Sequence, residues 1–323
     1  MDFLNMTFPI SGVTTNILLP PLISLVISFF TSMGGISGAF LLLPFQMSVL
    51  NYTAPSVSGT NHVFNIVAIP SGVYRYIKEG RMAWPLTWVV IAGTLPGVFI
   101  GYYLRVLYLP DPKTFKLFVG CVLLYIGIRI FKELLGGSKA LSAGAKALEE
   151  KFKARAVHIK KERSSKRASG IPANAVVKTI SISLIKVEYE FWGERFTFNT
   201  IGMFGLAFVV GIIGGAYGIG GGAIIAPFCV AFFHLPIYSI AGATLMGTFM
   251  TSVAGALFFS VLPATQGISP MPDWPLGILF GIGGFVGMYL GAKTQKYVPQ
   301  KFIKSFVGTA IVFLAVKYIV QFF

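Results

Sequence analysis

The run Gly35–Phe45, GISGAFLLLPF, returns 183 positions later as Gly218–Phe228, GIGGGAIIAPF. Further blocks repeat in the same order. Trp84-Pro85-Leu86 matches Trp274-Pro275-Leu276 at an offset of 190, and at that offset Gly93, Gly97 and Gly101 fall on Gly283, Gly287 and Gly291. Lys116, Phe118, Val119 and Gly120 match Lys304, Phe306, Val307 and Gly308 at 188. Blocks kept in order with small drift mean one unit present twice, and each copy must fold alike. The chain divides into a first repeat, 1–136, a basic joining region, 137–198, and a second repeat, 199–323.

Each copy opens with a long apolar stretch that has a glycine-rich centre, about 17–50 and 200–233. Three single apolar segments follow, about 54–77, 84–108 and 114–135 in the first copy and 237–262, 274–294 and 301–323 in the second. Roughly 20 helical residues cross a bilayer core. Only 11% of the residues are charged and 55% are hydrophobic, against about 25% charged in soluble domains. A chain this apolar has lipid as its solvent, so the expected class is an all-α polytopic membrane protein. The G-x-x-x-G-x-x-x-G faces of 93–101 and 283–291 read as close helix packing.

Charge sets the expected orientation. The net charge is +15, and residues 129–198 hold 15 Lys/Arg and 7 Asp/Glu. Basic loops stay cytoplasmic, and no nucleic-acid motif accompanies the charge, so lipid is the expected partner and nucleic acid is not. The loop near 75–83 carries Arg75, Lys78 and Arg81, whereas its repeat counterpart near 263–273 carries no Lys or Arg. Equivalent loops therefore fall on opposite sides, which is the mark of inverted repeats. Inversion needs an odd number of crossings per copy. Three single spans already supply that, so each long stretch must be a hairpin of two short helices, bent at its glycines. Both termini are then external, in a multi-pass protein of the cell membrane. The first apolar run has no basic region before it, so a cleavable signal peptide is not expected.

Within the joining region, 139–167 reads as a Lys-rich helix, and 179–191, TISISLIKVEYEF, alternates as a strand or hairpin does. Cys121 and Cys229 lie in apolar segments and read as small buried hydrophobes.

Broken helices at membrane depth survive only beside protein or a water-filled cavity, and a pair at equivalent positions points to a transporter's binding site. The candidate residues are thus Gly35, Ser37 and Gly38 in the first break and Gly218, Gly220, Gly221 and Gly222 in the second. The next segment adds a polar stripe at i, i+3, i+4, i+7: Ser58, Asn61, His62 and Asn65. Its counterpart is Thr244, Thr248, Thr251 and Ser252. These uncharged groups suit either interhelical hydrogen bonding or a permeating ion. His62 alone is ionisable within a span, and it can bind an anion, relay a proton or serve as a neutral structural group. No nucleophile–base pair or metal-ligand cluster is present, so neither an enzyme, a metal nor a cofactor is expected.

The glycine-rich hairpin, its return as GIGGGAIIAPF and the WPL…G-x-x-x-G-x-x-x-G block resemble the TauE/SafE family of sulfite and organosulfonate exporters, also called TSUP. The first copy departs from the second-half motif at Ser37, Ala39 and Phe40. The resemblance implies a carrier for small sulfur-containing anions such as sulfite or sulfonates, alternating access between its repeats. The thiosulfate transporters, more distant relatives, rely on intramembrane cysteines. Cys121 and Cys229 lie off the breaks and stripes, so that mechanism is not carried over. Two other readings stand beside an exporter: a carrier importing another small solute, and a membrane scaffold that recruits a cytoplasmic partner through the basic loop. The oligomeric state is not legible in the sequence.

Overall fold

The computed structural model describes residues 4–135, 175–262, 269–298 and 300–322, together with Ala147 and Glu150. The Lys-rich 139–167 segment lies almost entirely outside the described residues. A short antiparallel hairpin comes first, β1 (Asn5–Thr7) paired with β2 (Thr14–Asn16). The first five helices are α1 (Leu19–Met33), α2 (Ala39–Ser48), α3 (Ser56–Lys78), α4 (Trp84–Tyr103) and α5 (Pro112–Leu135). α4 runs on into a single π turn, Leu104–Tyr108. A three-stranded antiparallel sheet follows, β3 (Val177–Ile182), β4 (Lys186–Phe191) and β5 (Glu194–Asn199). The second set is α6 (Thr200–Tyr217), α7 (Gly222–Phe233), α8 (Ile237–Val261), α9 (Trp274–Thr294) and α10 (Gln300–Val320).

Local chemistry starts and stops these helices. Prolines occupy the first turn of α1, α4 and α9, where no intrahelical N–H is needed. Asn199 Oδ1 accepts from Gly202 N–H at 2.7 Å and caps α6, and Asp273 Oδ1 accepts from Leu276 N–H at 3.2 Å and caps α9. Both long apolar stretches are two-helix hairpins, as their length required. The breaks sit at equivalent glycines. Gly35 has φ +69° and Gly218 φ +82°, the left-handed conformation that glycine adopts without strain.

Among the described residues, five helices are long and apolar enough to cross a membrane: Trp84–Tyr108, Pro112–Lys132, Thr200–Tyr217, Ile237–Val261 and Trp274–Thr294. The chain is an all-α polytopic membrane protein with short β accessories. α3 falls outside that set because its polar stripe lowers its hydropathy, although it is buried along most of its length.

The repeats exchange partners. α1 packs along α9 and α6 along α4; α3 also packs on α9 and α8 on α4; α5 packs on α10 and α3 on α8. The glycine faces make the first two crossings. A Cβ on Gly93, Gly97 or Gly101 would collide with the carbonyl of Phe204, Phe208 or Ile212 in α6. A Cβ on Gly283, Gly287 or Gly291 would collide with that of Pro21, Leu25 or Phe29 in α1. These carbonyls are spaced by four residues and correspond at an offset of 183. Where α6 offers Ala207, Gly211 and Gly215, α1 offers Ser24, Ser28 and Ser32. Two of those serines use the contact: Ser24 donates to Phe280 O at 2.6 Å, and Ser32 lies 3.4 Å from Met288 O. Such small-residue crossings stand in for the hydrophobic drive that lipid removes.

The alternation in 179–191 marks real strands, and the sheet extends to Asn199. Val187, Tyr189 and Phe191 of β4 point inward, and Tyr189 hydrogen-bonds Ser239 Oγ at 2.9 Å, docking the sheet on the start of α8. Burial raises the Tyr189 phenol above its usual pKa, so it stays a neutral hydroxyl there. Val177 N–H donates to Gly80 O at 2.8 Å, placing the sheet at the α3–α4 turn. One expectation fails: Cys121 is exposed on the outer face of α5, whereas Cys229 is buried. An apolar neighbourhood in sequence does not separate a core position from one facing lipid, since both are hydrophobic.

Candidate functional site

The two helix breaks are held crosswise. Asn65, on α3, donates from Nδ2 to Ile219 O in the second break and to Ser252 Oγ on α8, each at 3.0 Å. Its Oδ1 accepts from Ser37 Oγ in the first break. One side chain thus ties both breaks and both stripe helices. In the other direction Thr244, on α8, donates to Gly35 O at 3.0 Å. Ser58 donates to Ala216 O at 3.0 Å, just before the second break. Each stripe therefore satisfies backbone carbonyls that the opposite break frees, as non-helical backbone in lipid requires.

The glycines are needed for this proximity. A Cβ on Gly35 would overlap Ala241 of α8 at 2.9 Å, and one on Gly218 would collide with the backbone of Ser58. A Cβ on Gly222 would strike Thr244 O and Thr248 N, and one on Gly220 would lie 2.8 Å from Ser252 Oγ. Gly221 N–H, at the start of α7, donates to Thr251 Oγ1 at 3.2 Å. Ser37 Oγ likewise accepts from Ala39 N–H at 3.2 Å at the start of α2. Thr248 Oγ1 donates to Thr244 O at 2.9 Å within α8. Gly38 fits against Ser28 and Phe64.

The α3 stripe divides. Ser58, His62 and Asn65 turn toward the second repeat, whereas Asn61 serves its own hairpin, donating to Ala39 O at 3.0 Å and accepting from Gln46 Nε2 at 3.2 Å. His62 is fully buried between Gly255 and the ring of Phe259, whose centroid is 5.9 Å away. Its ring has no side-chain hydrogen-bond partner among the described residues, and its polar neighbour is the backbone of Gly215. All fifteen expected residues are buried. A solute reaches them only if packed elements separate.

Periodicity did not indicate several participants. Tyr217, the last residue of α6, donates to Phe40 O at 3.0 Å, and Tyr318 of α10 donates to Pro44 O at 2.9 Å, so both clamp α2. Gln46 lies in an apolar run and Arg105 near a segment end, and both are fully buried. No group of His, Cys, Asp and Glu among the described residues could hold a metal.

The sulfite exporter TauE/SafE family profile matches residues 21–318, nearly the whole chain and both repeats. The chain belongs to the TauE/SafE family. Within it, the chain is similar to the probable membrane transporter protein YunE of Bacillus subtilis (strain 168), 22% identical over 299 residues, covering 90% of this chain and 92% of that one. It is also similar to the probable membrane transporter protein YdhB of the same organism, 27% identical over 116 residues, 36% of this chain and 44% of that one. No solved structure matches. As a TauE/SafE protein the chain is a multi-pass membrane transporter.

Proposed function

We propose that the chain carries a small sulfur-containing anion, such as sulfite or an organosulfonate, and that it works by alternating access between two inverted repeats, 1–136 and 199–323. The observation that carries this reading is the crosswise hold: Asn65 reaches the second break and Thr244 the first. A substrate seated between the breaks would contact both repeats at once, so a rocking motion of one against the other opens it to either side. The burial of every stripe and break residue fits a pathway closed at both ends. The reciprocal crossings α1–α9 and α4–α6 support a two-fold relation between the copies. The placement of basic residues supports the sheet and the joining region on the cytoplasmic side, with both termini outside. In the proposed site, Ser37, Asn65, Thr244, Thr248, Thr251 and Ser252 supply neutral donors, and the α2 and α7 N-termini add partial positive charge.

A negative cell interior drives each anionic charge outward by about 2.3 kcal/mol per 100 mV, so export needs no coupling cation. The test is uptake of labelled sulfite into proteoliposomes under an imposed potential, competed by sulfonates and by sulfate. Potential-dependent uptake that one of these competes is the expected result. No flux of any panel anion, from protein that is monodisperse and folded, would reject the reading.

A further inference from the structure

Among the described residues, three side chains that ordinarily carry charge are closed off from water: Arg81, Arg105 and Asp273. Arg81 is answered by an opposite charge, and Asp273 by the positive end of a helix. Arg81 Nη2 pairs with Glu79 Oε2 at 2.5 Å, and Nη1 donates to Gln295 Oε1 at 2.9 Å. Asp273 is a helix cap that also accepts from Ser11 N–H at 2.9 Å and Ser11 Oγ at 2.8 Å. Arg105 has no such counterpart. Its Nε donates to Ser58 Oγ at 3.3 Å, Nη2 to Thr53 O at 3.2 Å and Nη1 to Leu109 O. Its guanidinium lies 3.6 Å from the centroid of the Phe115 ring. None of these partners carries a negative charge.

A dry guanidinium without a counter-charge is expensive, and the location says what it is kept for. Arg105 lies in the π turn that ends α4, and π turns inside helices recur at functional sites. Its first partner, Ser58, is the end of the stripe Ser58, His62, Asn65, so the guanidinium extends that stripe by one residue. It sits at the end of α4 away from β3–β5. The other copy has Gln295 at the equivalent position, also buried but neutral, donating to Met33 O at 2.7 Å and accepting from Tyr76 Oη at 3.0 Å and Arg81 Nη1 at 2.9 Å. There the neighbouring guanidinium, Arg81, comes with its own carboxylate, Glu79; among the described residues Arg105 has none.

We infer that Arg105 is an anion-binding residue, holding an oxyanion through two parallel N–H···O bonds in place of the carbonyls of Thr53 and Leu109. This rests on the carrier reading and adds to it where the anion first meets, or last leaves, a fixed positive charge. A guanidinium presents paired donors that match the oxygens of sulfite or a sulfonate, and its face on Phe115 leaves those edges available. Occupancy releases two carbonyls, one in the α2–α3 loop and one just past the π turn. Anion binding thereby frees the segments that cover this end of the stripe.

The experiment measures sulfite binding by titration calorimetry on detergent-solubilised protein and labelled-sulfite flux in proteoliposomes. It compares the wild type with R105Q and R105K, and uses K113Q, which removes an exposed charge at the same end, as the comparator. R105Q is expected to raise the half-saturating sulfite concentration at least tenfold in protein that is folded and monodisperse. R105K should raise it several-fold, since charge is kept and bidentate geometry lost, and K113Q should leave it unchanged. If R105Q does not fold, R105K carries the test. Wild-type saturation in whichever of the two is folded overturns the assignment while leaving the carrier reading intact. If wild type binds sulfite, R105Q does not, and neither gives flux, the site stands and the carrier reading falls.

Discussion

At Asn65 a single amide side chain bonds to residues 28, 154 and 187 positions away. Asn65→Ala leaves the Ile219 carbonyl and the hydroxyls of Ser37 and Ser252 without this partner. An unsatisfied buried polar group costs about 1–3 kcal/mol, so the thermal midpoint should fall and sulfite flux should be lost. Flux equal to wild type would remove Asn65 from the site. Gly218→Ala meets two penalties: about 1–2 kcal/mol for a left-handed alanine and a collision with the Ser58 backbone. Folded protein should not be recovered in detergent extracts. Gly205, on the same helix, has nothing within 4 Å of an added Cβ, and Gly205→Ala should fold normally. His62→Gln separates the roles open to that residue. A proton relay through the imidazole predicts loss of any pH-gradient dependence of flux, whereas a space-filling histidine predicts flux unchanged at every pH.

The helix hairpins were legible because each follows from length, a glycine centre and the parity of crossings. The stripes were legible from helical spacing. What spacing does not encode is which neighbour a polar group meets, and so Asn61 separates from Ser58, His62 and Asn65. Arg105 carries no mark in the sequence, because its burial depends on the π turn and on Phe115, neither of which leaves a periodic signal. The N-terminal hairpin has three-residue strands, too short for alternation to reveal. At this scale the glycine crossings make a paired prediction. Gly97→Val would push α4 from α6, and Gly287→Val would push α9 from α1. Since each faces a carbonyl at equivalent register, both should lower yield and thermal midpoint by similar amounts. A loss at one crossing only would contradict their equivalence.

Across the whole molecule, the exchange of helix partners means neither repeat buries its own apolar faces alone; each completes the other. That architecture explains why the internal repeat is the most constraining feature of the sequence. It also explains why the joining region can differ so much in composition from the rest. Deleting residues 139–169 should leave flux in proteoliposomes intact, whereas a scaffold acting through that region would lose its function altogether. The most direct test of the central claim, a site between two cross-held breaks that opens in turn to each face, is cysteine access. In a background with Cys121 and Cys229 changed to serine, Ser252→Cys would be exposed in membrane vesicles of either orientation to an impermeant thiol reagent. The account predicts labelling from both faces, slowed by sulfite on either side. Labelling from neither face, or from one face only whatever the sulfite gradient, would contradict it.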